Sequence, residues 1–162
     1  MEKLILLYQK LIGLFQKQID MQTPPEQKET SPQKLCRIAK SYLGKDVSYL
    51  IDNEVACAEV ASKIINNLFS DFPDKILGTD ALKKELDKSR RFTQVLQPEI
   101  GCVVISPRTA TVNGHVGFFI LNENIASNDS LTGTFQINYT WKSWIKTFKN
   151  GRKLRIFIYK PL

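Results

Sequence analysis

Histidine occurs once in this chain, at His115, and cysteine only three times, at Cys36, Cys57 and Cys102. One imidazole and three scattered thiols with no Cys-x-x-Cys pair cannot complete an ordinary structural zinc site. So few cysteines in 162 residues also argue against a disulfide scaffold. No metal or organic cofactor is implied. No stretch approaches the roughly 18 continuous apolar residues that a membrane-spanning helix needs. The first residues carry no secretory signal either, because Gln and Lys interrupt their apolar run and no small-residue cleavage site follows. The expectation is a chain that stays cytoplasmic until something else releases it.

Acidic residues are also in the minority. Sixteen Asp and Glu against 23 Lys and Arg leave a formal charge of +7, which raises encounter rates with anionic polymers such as nucleic acid, anionic lipid or cell wall. The basic residues come in ones, twos and short clusters ("KK" at 83–84, "SRR" at 89–91, "GRKLR" at 151–155). With no basic tail and no recognisable nucleic-acid motif, nucleic acid is not the expected partner.

What is present divides into three parts. Residues 1–20 read as an amphipathic helix: Leu4, Leu7, Leu11 and Leu14 form one apolar seam, and Ile5, Tyr8, Ile12, Phe15 and Ile19 a second beside it. A stripe that broad suits bundles of more than two strands, so a homo-oligomer is expected, with membrane-surface contact as the second reading. Residues 21–31, rich in Pro, Thr, Ser and charge, form a linker. Residues 32–162 make one α+β domain. Its first helix starts at Ser31 as N-cap with Pro32 behind it and stops at Gly44. A second is capped by Asn53 and buries Val55, Ala56, Val60, Ile64, Ile65 and Leu68. A third runs over 79–89. Five short β-branched or aromatic runs follow, "FTQVL", "CVVISP", "HVGFFIL", "NIASND" and "LRIFIYK", which predict an antiparallel sheet of about five strands. The aromatic-rich stretch 132–151 reads as a strand end, a turn and a short helix, with Phe135, Tyr139, Trp141, Trp144 and Phe148 assigned mainly to the core.

Cys57 lies near the start of its helix, where unpaired N–H groups and the helix dipole favour a thiolate and can hold an oxyanion. His115 opens a strand and can supply a base from a rigid mount. A third, polar group must fix its tautomer, and "SND" at 127–129 on the following strand offers one. Strand alternation puts Ser127 and Asp129 on one face and Asn128 on the other. Because serine alone orients an imidazole poorly, the choice falls between Asn128 and Asp129, with Asn128 preferred. Cys36 and Cys102 read as small buried hydrophobes.

Taken together, "ACAEVASKII", "QPEIGCVVIS" and "NGHVGFFILNENIASNDS" resemble the papain-like cell-wall hydrolases of the NlpC type and their CHAP amidase relatives, over roughly residues 33–160. The resemblance implies Cys57 as nucleophile, His115 as base and peptidoglycan stem-peptide amides as substrate, cleaved by an endopeptidase or amidase. It also implies a phage- or prophage-like lysis or virion route, which agrees with the missing signal. The sequence departs from the family where Ala56 and Ala58 flank the cysteine and where Cys102 stands in place of an Asp. The rival expectation is a non-catalytic, basic, oligomerising module on the same fold.

Overall fold

The computed structural model describes residues 28–47 and 56–162, together with residues 5, 8–15 and 17. Residues 8–15 are helical (α1), and Ile5, Tyr8, Leu11, Ile12, Leu14 and Phe15, part of the predicted apolar stripe, are all exposed. The linker, apart from its last residues, and the expected cap at Asn53 lie outside the described residues.

The domain starts with α2 (Ser31–Ser41). Its N-cap is Thr30, one residue before the expected Ser31, because Gln33 Oε1 accepts the Thr30 N–H at 2.8 Å and closes a capping box. Helix α3 (Cys57–Asn66) begins on the cysteine itself. Helix α4 (Thr79–Lys88) places Thr79 inside the helix, where its hydroxyl takes the Arg108 N–H at 2.9 Å.

Six strands follow: β1 (Phe92–Val95), β2 (Val103–Ser106), β3 (His115–Leu121), β4 (Asn124–Asn128), β5 (Phe135–Thr140) and β6 (Phe157–Pro161). They form one sheet in the order β1-β6-β2-β3-β4-β5, with every neighbouring pair antiparallel. The α+β class is as expected. The strand beyond the expected five is β5, which the sequence showed only as a strand end; its alternation is broken by a bulge against β4.

Period-two alternation gives the strands β2, β3 and β4 two buried faces. Val103, Ile105, Val116, Phe118 and Ile120 point into a core with Leu35, Ala39, Val60, Ile64, Ile65, Leu82 and Leu86 of α2–α4. Val104, Phe119, Ile125 and Ile158 point the other way, against Trp144 of α5 (Trp141–Trp144) and Phe148 of the π-helical segment Ile145–Gly151 that continues it. That segment closes with an Arg152 N–H to Thr147 carbonyl bond of 2.9 Å, the i→i+5 spacing of a π-turn. Among the described residues, no helix is long and apolar enough to cross a membrane.

Candidate active site

The site lies at the start of β3, where the two layers meet. Cys57 is the first residue of α3 and is buried, 7% exposed, within the core cluster of the helical layer. The N–H groups of Val116, Ala58 and Cys57 itself are directed at its sulfur. Val116 follows His115 on β3, so α3 delivers the thiol to the same strand end that carries the imidazole. Burial pushes the Cys57 thiol up to about 11, and the three N–H groups only partly offset it. The sequence expectation of a dipole-stabilised thiolate is therefore corrected: desolvation outweighs the helix terminus. At neutral pH the resting group is a thiol.

His115 projects to the other face, beneath α5 and the π-segment. Its ring stacks on Phe148 (centroids 5.5 Å, 14°) and on Trp144 (5.6 Å, 29°) and meets Tyr139 edge-on at 5.6 Å. The apolar enclosure drives its pKa down to about 4; the Arg152 charge pushes the same way and Asp129 opposes both. The imidazole is therefore neutral at pH 7. The Tyr139 phenol feels both sides of this arrangement. Burial is the main cause of its raised pKa, and Arg152, Asp129 and Cys57 all act on it through space.

The polar partner of the imidazole is Ser127, whose Oγ lies 2.9 Å from His115 Nε2. Ser127 in turn donates to Asn138 Oδ1 at 2.6 Å. Since the serine hydrogen is committed to Asn138, Ser127 can only accept from the ring. That fixes the proton on Nε2 and leaves the Nδ1 lone pair as the base. This corrects the expected third member. Asn128 is buried on the opposite face of β4, 2% exposed, as alternation requires. The Asp129 carboxylate is held by its own turn, accepting from Leu131 N at 2.8 Å and Thr132 N at 2.9 Å, and reaches His115 only as a through-space charge.

Asn138 was missed because nothing in "QINYT" marks it. It is the extra residue of the bulge, since Ile125 pairs with Tyr139 and Ala126 with Ile137. A bulge re-aims a side chain that regular pairing would place elsewhere. Gly117 makes the imidazole–serine bond possible: a Cβ there would fall 2.6 Å from Ile125 Cγ2 and 3.2 Å from Ser127 Cβ. Gly114 before the histidine is equally constrained, since its Cβ would lie 2.3 Å from the Ser106 carbonyl oxygen. Cys36 and Cys102 are buried elsewhere, and burial raises both thiols. Among the described residues no group of three His, Cys, Asp or Glu side chains stands ready to hold a metal ion.

No family model and no curated protein matches this chain. Solved structures do. A chain from the type VI native effector–immunity complex Tae3–Tai3 of Ralstonia pickettii superposes with a TM-score of 0.55 at 15% identity, over 82% of this chain and 100% of that one. Ly7917 gives a TM-score of 0.54 at 14% identity over 82% of this chain, which spans 63% of Ly7917. At these identities the likeness is one of fold: a small α+β domain with helices packed on an antiparallel sheet.

Proposed function

We propose that this chain is a thiol-dependent hydrolase that cleaves amide bonds of peptidoglycan on a papain-like, NlpC-type domain. The reading is supported by a helix-initial cysteine against the Val116 N–H, one residue along β3 from an imidazole whose tautomer a Ser127–Asn138 pair fixes. Starting from neutral partners, His115 Nδ1 takes the Cys57 proton as the sulfur attacks the substrate carbonyl. The Cys57 and Ala58 N–H groups at the helix start hold the oxyanion. The imidazolium then gives its proton to the leaving amine, and water, activated by the same imidazole, hydrolyses the thioester and returns the pair to its neutral state. The net charge of +7 favours an anionic wall polymer.

The test is a pair of variants. Cys57→Ala and His115→Ala should each abolish release of soluble wall fragments while the melting profile stays cooperative. Either variant retaining activity overturns the assignment.

One observation favours the second reading, a recognition module that retains the fold without the chemistry: Cys57 is nearly closed off and rests as a thiol. Membership of a structural neighbour in an effector–immunity complex also supports a protein partner. In that case Cys57→Ala would leave wall or partner binding intact, and no amide would be cleaved by either form.

A further inference from the structure

A second feature of the surface lies away from Cys57. It is a groove of about 560 Å³ between the π-segment and the β1–β6 edge of the sheet. The α5–π segment separates the two sites: Trp144 and Phe148 face His115, whereas Trp141, Ile145 and Lys149, spaced by four, face the groove. Its floor is apolar, with Val95, Trp141 and Leu154. Its rim carries Lys149, Lys153 and Arg155, all exposed, and no Asp or Glu lines it. Six salt bridges tie other lysines and arginines to carboxylates, yet among the described residues none of these three cations forms one. Three cations around an apolar floor, with no acid of the chain to answer them, are complementary to a ligand that is both anionic and greasy.

One wall identifies that ligand further. Gln94, Val95 and Leu96 come from the end of β1, the outermost strand of the sheet on that side. An edge strand offers backbone N–H and C=O groups that an extended peptide satisfies and a polyphosphate does not. Leu96 stands 89% exposed at the same end, which gives a bulky apolar side chain a contact beyond the groove floor.

We infer that this groove is a docking site for an acidic peptide segment of a partner protein, anchored by a bulky apolar residue over Trp141 and Leu154 and by its carboxylates on Lys149, Lys153 and Arg155. The site is independent of the chemistry at Cys57 and stands whether or not the chain is a hydrolase.

The experiment is calorimetric titration of the full-length protein with the acetylated, amidated hexapeptide EELFED. Controls are EESSED, which keeps the charge and loses the anchor, and hexametaphosphate, which offers charge alone. The expected result is saturable EELFED binding at low salt, weakened at least tenfold in EESSED and at least tenfold by Lys149→Glu with Arg155→Glu. The exposed positions of both substitutions should leave the fold intact. If the double variant nevertheless fails to fold, amide and indole chemical-shift changes at Val95 and Trp141 in the wild type carry the test instead. Absence of saturation at millimolar peptide, affinity unaffected by the charge reversal, shifts confined to other residues, or hexametaphosphate or EESSED binding as tightly as EELFED would each overturn the proposal.

Discussion

Replacing Ser127 by alanine isolates the part of the site with the most specific geometry. Ser127 is fully buried, accepts from His115 Nε2 at 2.9 Å and donates to Asn138 Oδ1 at 2.6 Å. Alanine removes both bonds and supplies no replacement, leaving a buried ring N–H and an amide oxygen without their partner. An unsatisfied buried polar group costs about 1–3 kcal/mol, so Ser127→Ala should lower stability by roughly that amount. The effect on rate follows from the tautomer. With the serine gone, the proton is free to move to Nδ1, where it blocks the lone pair that must accept from Cys57. Losing about 1–2 kcal/mol of preference for the correct tautomer corresponds to a fall of roughly five- to thirtyfold in kcat/KM, far milder than loss of Cys57 itself. Because the chain holds a single histidine, nitrogen-15 NMR of the labelled ring reads the tautomer without assignment. The wild type should show a protonated Nε2 and a bare Nδ1, and Ser127→Ala a mixture. A wild-type ring protonated at Nδ1, or a variant with unchanged tautomer and rate, would refute the reasoning.

Three further outcomes follow from the same structure. With its thiol held up at about 11 by burial, Cys57 should be alkylated by iodoacetamide at a rate that climbs with pH from 7 towards 10; a plateau with a midpoint below pH 8 would mean that the resting state is an ion pair. Native His115, with its pKa lowered to about 4, binds fewer protons than the unfolded chain between there and the ordinary histidine range near 6.5. Its contribution to stability is thus complete above that range and disappears as pH falls towards 4, so the melting temperature should drop over this window, and the drop should shrink in His115→Ala. The exposed apolar residues of α1 predict that the full-length protein self-associates and that a chain beginning at residue 28 does not; equilibrium sedimentation at micromolar concentration showing monomeric full-length protein would contradict this.

The elements whose patterning is local could be read from the sequence. The apolar spacing of α3 predicted its buried face: Ala56, Val60, Ile64 and Ile65 are fully buried, Leu68 is only partly so, and Val55 lies outside the described residues. The aromatic and β-branched runs predicted β1–β4 and β6, because period-two burial leaves its mark on residue types. Strand β5 was half-seen, since its bulge interrupts that period. At the site, alternation correctly separated Ser127 from Asn128, but the choice between them went to the wrong face. Serine alone orients an imidazole poorly, and Ser127 becomes an adequate orienter only through Asn138, which the bulge aims at it. The resting state of the Cys57 thiol is hidden from the sequence for a related reason. A helix terminus is visible in sequence, whereas the desolvation that outweighs it depends on how two layers close over the residue.

The central claim is that Cys57 attacks an amide of peptidoglycan, and its most direct measurement is the mass of the products released. Purified peptidoglycan from several wall types, incubated with wild-type protein and with Cys57→Ala, should yield soluble fragments from the wild type alone. Each fragment should carry a new amine or carboxylate end that accounts for one added water at an amide bond. No fragments from any wall, or the same fragments from Cys57→Ala, would contradict it.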